Sequence, residues 1–241
     1  MKDKEFIDMN SYAVARAFYE AYEIKTVILG QNPIFPTAYS HIAEGHYYKN
    51  LLEDDVLIQA LQDVLAIYPD KKKILFGNTD YYVRHIIHNR ARIEALSDTF
   101  IIPIVEETKF DQLFSKSTFY ELCEKHGLDY PKCTVFDFAK DDIGTFKVPF
   151  EYPIFIKPSD SVAYAKYNFE NKQKGYKIDN DAQFRNVLKT VKASGFDDTF
   201  VVQEYIEGSD DSMFVYSAYV NSRHKVVAIT GGKILMHDRT P

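Results

Sequence analysis

Long apolar runs are missing from this 241-residue chain. No stretch approaches the roughly 18 consecutive apolar residues that a membrane-spanning helix requires. The start, Met1-Lys2-Asp3-Lys4-Glu5, has no apolar segment of the kind that marks a secretory leader. The expectation is a soluble, cytoplasmic protein without a transmembrane segment, which still leaves room for a substrate carried on a membrane lipid. Cysteine is scarce as well. Cys123 and Cys133 are the only two, and neither sits in a Cys-x-x-Cys pair. That excludes a disulfide framework and a thiolate zinc site, and leaves two thiols that behave as small hydrophobes. Concentrated positive charge is absent too. The net charge of -6 is spread along the chain, whereas nucleic-acid binding needs a basic face that neutralises phosphates, so nucleic acid is not expected as a partner. Lys71-Lys72-Lys73 is the only basic cluster, and it reads as the solvated entrance to an apolar strand. No P-loop, Gly-x-Gly-x-x-Gly fingerprint or Gly-x-Ser-x-Gly elbow occurs, and no internal repeat or low-complexity segment.

What is present is an ordinary globular balance, 46% hydrophobic and 27% charged, enough to bury a substantial core in one or two domains. The first hundred residues alternate strand and helix. Phe6-Ile7 reads as a strand running into Asp8-Met9-Asn10-Ser11, residues suited to a helix N-cap. A helix over about 12–22 then places Val14, Ala17, Phe18 and Ala21 on one face. Thr26-Val27-Ile28-Leu29 is a buried strand closed by Gly30, and Leu57, Ala60, Leu61 and Val64 form another helical stripe. Lys73-Ile74-Leu75-Phe76 is a second buried strand ending at Gly77-Asn78-Thr79-Asp80. A helix over about 81–96 follows, and then a strand over 99–105 that Pro103 interrupts. Strand, polar turn, helix and strand in this order point to a parallel sheet covered by helices. Ligands of such sheets gather at the carboxyl ends of the strands, where helix N-termini offer N–H groups to anions.

The pattern changes near Glu106-Glu107-Thr108-Lys109. A helix over about 116–126, with Phe119, Leu122, Cys123 and His126 as its stripe, stops at Gly127. Beyond Cys133 the chain turns strand-rich. Tyr152 to Pro158 is a strand, Ser159 to Ala163 a small polar loop, and 167–178 a strand or hairpin. Phe184, Val187, Leu188 and Val191 share a helix face, and 200–206 is a strand. Strands over 212–220 and 225–235 are joined at Asn221-Ser222-Arg223. The eighteen tyrosines read as packing residues.

Three pieces carry candidate chemistry. Lys157 ends an apolar strand, where an ammonium is costly unless it meets an anion, and lysine is a common phosphate binder. Against this stands a strand-end lysine that reaches solvent, and the residues alone leave the two readings even. The loop containing Ser159 and Ser161 offers hydroxyls and backbone N–H groups that can fold over phosphates, although an ordinary turn fits it better. The segment Val202 to Asp211 runs a strand into an acidic turn. Such a strand can show a carbonyl and an N–H to a purine edge, and a later carboxylate can accept from ribose hydroxyls; a plain strand and turn fits equally well. His85 with His88, and His41 with His46, lack acidic partners at metal-binding spacing.

Taken in order, Asp8-Met9-Asn10-Ser11-Tyr12 with Ala15-Arg16-Ala17-Phe18-Tyr19-Glu20, Phe114-Ser115-Lys116, Gly127-Leu128-Asp129-Tyr130-Pro131, Tyr152 to Ser159 and Gln203-Glu204-Tyr205-Ile206-Glu207-Gly208 resemble the ATP-grasp superfamily. Within it they are similar to carboxylate–amine ligases of the D-aspartate ligase kind, which build the peptidoglycan cross-bridge. Carbamoyl-phosphate synthase large-chain domains are a more distant likeness. The resemblance implies an α/β chain made of a parallel-sheet pre-ATP-grasp domain over 1–108 and a partial ATP-grasp domain over 109–241. The lid of the second would span about 134–202, and its C-terminal subdomain would be incomplete.

The resemblance also assigns roles. Lys116 and Lys157 are the two phosphate lysines, and Glu204 and Ile206 the hinge positions whose backbone meets adenine. Gln203 stands where many members carry an acidic residue near the adenine amine, and its side-chain oxygen keeps an acceptor there. Asp210 or Asp211 is the ribose carboxylate. Asp8, Asn10, Asn78 and Asp80 are substrate candidates by position alone. The implied reaction uses ATP and Mg2+ to activate a small-molecule or peptide carboxylate as an acyl phosphate, which an amine then attacks. The family's magnesium ligands lie on later strands, so no metal ligand is expected within 1–241. The chain therefore reads as a fragment that binds nucleotide without completing ligation. The runner-up reading is a non-catalytic nucleotide-binding module, and a third is an unrelated transferase using a nucleotide sugar.

Overall fold

A computed structural model describes residues 9–209 and 212–235. The chain divides into two compact units, 1–110 and 111–241.

In the first unit the order is α1 (Met9–Tyr22), β1 (Thr26–Gly30), α2 (Phe35–Ala38), β2 (Ala43–Tyr47), α3 (Asp54–Ile67), β3 (Lys73–Ile74), α4 (Asp80–His88), α5 (Arg90–Leu96) and β4 (Phe100–Ile101); α6 (Glu107–Phe114) spans the boundary. The parallel pairing expected from the alternation is present, but as two separate ribbons, β1 with β2 and β3 with β4. The strand pattern missed β2, whose Ala-Glu-Gly-His-Tyr has little β character. β3 and β4 are also shorter and more open than expected. Ile74 and Phe76 are largely exposed, and Pro103, which has no N–H for a ladder, follows close after β4.

The α3 stripe is as the periodicity predicts. Leu57, Ala60, Leu61 and Val64 are all buried, and all but Val64 join Leu51, Ile86, Ile93 and Phe100 in one core. For α1 the face rotates: Ser11 and Ala15 are buried, Val14 and Phe18 half-buried, and Ala17 and Ala21 exposed. The helix expected over 81–96 breaks at Asn89. This fully buried side chain donates to the Asp54 carboxylate at 2.7 Å and to the His85 carbonyl at 3.1 Å. A buried amide that finds such partners competes with the continuous helical ladder. The strand proposed at Phe6-Ile7 lies outside the described residues.

The second unit contains α7 (Lys116–His126), β5 (Cys133–Asp137), β6 (Ile154–Pro158), α8 (Ser161–Ala165), β7 (Tyr176–Ile178), α9 (Asp181–Ala193), β8 (Thr199–Glu204), β9 (Phe214–Val220) and β10 (Val226–Lys233). Four strands form an antiparallel sheet in the order β5-β8-β6-β7. One sheet face builds the core: Phe136, Ile154, Ile156, Ile178, Phe200 and Val202 pack with Phe184, Leu188 and Val191 of α9. This is the stripe that the 3.6-residue period of α9 predicts. Phe138, Phe196, Phe200 and Tyr164 meet edge to face with centroids 5.4–5.5 Å apart. β9 and β10 form the expected hairpin. Its connecting turn is held by the Asn221 side-chain oxygen, which accepts the N–H groups of Arg223 and Lys225. No helix among the described residues is long and apolar enough to cross a membrane.

Candidate functional site

The opposite face of the four-stranded sheet carries the candidate site. Side chains of directly paired residues share a face, and successive residues alternate between faces. The register pairs Phe155 and Cys133 each with Gln203, and Lys157 with Val201. Cys133, Phe155, Lys157, Val201 and Gln203 therefore share the face opposite the aromatic core. Glycine at 175 leaves room for the Phe155 ring, since a Cβ there would fall 2.5 Å from it.

Helix α7 closes on this face. The Lys116 N–H donates to the Ser159 carbonyl at 3.3 Å, which ties the start of α7 to the end of β6. One turn on, Tyr120 is buried, with its ring stacked on Tyr130 at 5.5 Å. The Lys157 ammonium donates to the Tyr120 hydroxyl at 2.9 Å and lies 5.4 Å from the ring centroid. The Tyr120 hydroxyl in turn donates to Gln203 Oε1 at 3.1 Å. The line runs in one direction: the tyrosine oxygen accepts from the ammonium, which has only donors, and its proton is directed to the Gln203 side-chain oxygen. The Gln203 amide is thus oriented with its carbonyl toward Tyr120 and its Nε2 away, with no partner among the described residues.

Burial pushes the Lys157 ammonium below the ordinary lysine value, and the neighbouring Cys133 counters this. Burial likewise pushes the Cys133 thiol and the Tyr120 hydroxyl up. These shifts share one cause, a weakly solvated pocket that disfavours charge. Among the described residues, the hydrogen-bond partner of this ammonium is the neutral Tyr120 hydroxyl.

The residues expected to act together are brought together unevenly. Lys157 and Gln203 meet through Tyr120, and the backbone of Lys116 is tied to Ser159 at the end of β6. Ser159 is almost fully buried, and its hydroxyl has no hydrogen-bond partner among the described residues. Its neighbours differ from the polar loop expected there. Ser161 to Ala165 is a short helix, and the Asp160 carboxylate caps it by accepting the N–H groups of Val162 and Ala163 at 2.8 and 3.0 Å. Two N–H groups expected to face phosphate are thus already occupied, and Ser161 is exposed. Glu204 exchanges hydrogen bonds with Lys132: its N–H donates to the Lys132 carbonyl at 3.0 Å and its carboxylate accepts the Lys132 N–H at 2.9 Å. Ile206 lies beyond β8 with an exposed side chain. Asp210, Asp211 and Asp8 lie outside the described residues.

In the first unit, Asn78 donates to the Ser11 hydroxyl at 2.6 Å, and Asn10 donates to the Asn78 carbonyl at 3.4 Å. Asp80 is exposed at the start of α4, which Thr79 caps. Among the described residues no three His, Cys, Asp or Glu side chains converge as a metal site. His85 and His88 do have an acidic neighbour, Asp54, at 3.4 and 3.8 Å, which spacing along the chain did not reveal.

Sequence reasoning missed Tyr120. It assigned the buried face of α7 to Phe119, Leu122, Cys123 and His126, whereas Tyr120 and Cys123 are buried and Phe119 and His126 are exposed. The available signal was spacing: Tyr120 is four residues after Lys116 and three before Cys123, on one helix face.

Comparison with known proteins gives the class first. The fold matches the solved structures of an L-amino acid ligase from Bacillus licheniformis (TM-score 0.57, 14% identity, 92% of this chain and 48% of that one) and of N5-carboxyaminoimidazole ribonucleotide synthetase in its ADP complex (TM-score 0.61, 12% identity, 96% and 53%). The fold is therefore that of the ATP-grasp ligases. In sequence, the chain is 31% identical over 252 aligned residues to D-aspartate ligase of Enterococcus faecium (strain Aus0004). That alignment covers 100% of this chain and 59% of the ligase, so the chain spans less than two thirds of that relative. No family model matches the chain. The chain thus resembles the ATP-grasp carboxylate–amine ligases in sequence along its whole length and in fold, with a D-aspartate ligase as the sequence relative.

Proposed function

We propose that this chain forms the nucleotide-binding part of an ATP-dependent carboxylate–amine ligase. One observation carries the reading. Lys157 is held in a weakly solvated pocket, on the same sheet face as Gln203 and beside the start of α7, where Lys116 stands. Lys116 and Lys157 would take the phosphates, Gln203 and the backbone at Glu204 and Ile206 the purine, and Asp210 or Asp211 the ribose. The buried Ser159 hydroxyl is a further donor on the phosphate side. In this reading 1–108 is the pre-ATP-grasp domain, and 109–241 belongs to the ATP-grasp domain with a lid over about 134–202. Asn10, Asn78 and Asp80, with Asp8, are proposed for carboxylate selection.

ATP, when bound, supplies a phosphoryl group that turns a carboxylate into an acyl phosphate, which an amine can open to an amide. This chain's residues contribute position and charge: two lysines facing a triphosphate, in a pocket where low dielectric strengthens each contact. Magnesium is the proposed companion of the nucleotide, and hard oxygen donors would hold it. The described residues supply no convergent cluster for it. Kinship to a D-aspartate ligase supports a small amino-acid carboxylate as substrate and a role in peptidoglycan synthesis.

Calorimetric titration with ATP tests the reading. The chain is expected to bind ATP, and Lys157→Met to lose that binding while its unfolding midpoint holds. ATP binding that is indifferent to Lys157→Met overturns the assignment. Phosphate release that requires both D-aspartate and an amine acceptor tests the ligase step.

A further inference from the structure

The line from Lys157 through Tyr120 to Gln203 joins two groups with different proposed tasks. Lys157 belongs to the phosphate end of the site and Gln203 to the purine end, and they stand on neighbouring strands, β6 and β8. Among the described residues no hydrogen bond joins them directly. Both touch one hydroxyl, at 2.9 and 3.1 Å. That hydroxyl is itself immobilised. Its ring is buried and stacks on Tyr130, whose own hydroxyl is bound to the Glu124 carboxylate one turn along α7. The hydroxyl accepts from the ammonium and donates to the amide, so the state of one neighbour reaches the other through a single rotor.

We propose that Tyr120 is a positioning residue that couples phosphate engagement by Lys157 to purine selection by Gln203. The proposal rests on the nucleotide reading of the site. Its physical basis is reciprocity. If Lys157 orients Tyr120, and Tyr120 orients the Gln203 amide, then releasing either end loosens the other by the same factor in binding. Tyr120 itself contacts no nucleotide in this account. Its hydroxyl keeps the ammonium aimed and prevents the amide from flipping, and a flip would exchange the acceptor and donor presented to a purine edge.

The test measures ATP, AMP and GTP affinities calorimetrically for the chain and for Tyr120→Phe, Gln203→Ala and Lys157→Met. Tyr120→Phe keeps the ring and its stack. Loss of the charge-assisted hydrogen bond is expected to cost about tenfold in ATP affinity. The decisive readouts are ratios. In Tyr120→Phe the ATP:AMP and ATP:GTP preferences should fall together, a pattern that a purely structural role would not produce. Gln203→Ala should lower ATP:AMP by roughly threefold although Gln203 meets no phosphate, because Tyr120 loses the acceptor that orients it. This second variant keeps the test decisive should Tyr120→Phe fold poorly. Unchanged ratios in Tyr120→Phe, or a Gln203→Ala that alters only ATP:GTP, overturn the coupling and leave the nucleotide reading standing. A wild-type chain that binds none of the three overturns both.

Discussion

The two faces of the sheet β5-β8-β6-β7 carry opposite chemistry on the same four strands. One face is dry and aromatic, with Phe136, Ile154, Ile156, Ile178, Phe200 and Val202 each at 0% exposure. The other sets an ammonium, an amide and a thiol, those of Lys157, Gln203 and Cys133, beneath a helix that offers one tyrosine hydroxyl. The first face is stabilised by area removed from water, so it tolerates no hole. The second face holds polar groups whose mutual hydrogen bonds offset only part of their desolvation, so it spends stability on the ability to bind. Stability and recognition are therefore separable by residue parity along each strand.

Breaking the dry face should give the largest effect. Phe200→Ala removes a fully buried ring that meets Phe138, Tyr164 and Phe196. The expected loss is about 3–5 kcal/mol in denaturant unfolding, the usual range for a large aromatic in a core. On the polar face, Lys157→Met should act the other way round. Removing a poorly solvated charge should leave the unfolding free energy within about 1 kcal/mol of wild type or raise it, while ATP affinity collapses. Equal destabilisation by both variants would erase the distinction between the faces.

Smaller perturbations sharpen it. Gly175→Ala places a methyl 2.5 Å from the Phe155 ring, and should cost about 1–3 kcal/mol by overpacking beside the site. Asp160→Ala removes the cap of α8 and should cost about 1 kcal/mol. Because it also releases the Val162 and Ala163 N–H groups, it should not weaken ATP binding; a loss of affinity would make Asp160 itself part of the site.

The pH dependence supplies a fifth check. Burial lowers the folded-state pKa of Lys157 from the ordinary 10.5. Folding therefore disfavours the Lys157 ammonium relative to the unfolded chain, at a cost in stability at neutral pH that is regained as pH rises through the lowered pKa toward 10.5. An anionic nucleotide reverses the preference. ATP affinity should accordingly decline as pH rises through that lowered value, below 10.5, and binding in that window should take up a proton. Lys157→Arg, charged throughout, should show a flat profile. A wild-type affinity that does not change across the same window would remove Lys157 from the anion site.

Much of this is visible in residue order. The stripes of α3 and α9 and the hairpin at Asn221 follow from local periodicity and turn chemistry, because each depends on neighbours a few residues away. Lys157 could be nominated for the same reason, as a charged residue ending an apolar strand, whereas Gln203 is nominated only through the family resemblance. The misses involve distant partners. Asn89 breaks a helix because Asp54 is 35 residues away. Asp160 is the exception, since it turned an expected loop into a capped helix through N–H groups only two and three residues on. Tyr120 looked like one of many packing tyrosines until Gln203, 83 residues on, came within 3.1 Å of it.

By itself, then, the sequence determined which residue types stand where: apolar residues at strand and helix periods, two lysines and a glutamine in an order that resembles ATP-grasp ligases. Local patterning is enough for that, since backbone geometry converts spacing directly into faces. Only the tertiary structure decided that Lys157 and Gln203 share one tyrosine. It also decided that the polar face opposes an aromatic core. Those outcomes depend on strand register and helix docking, which are set by the burial of side chains far apart in the chain.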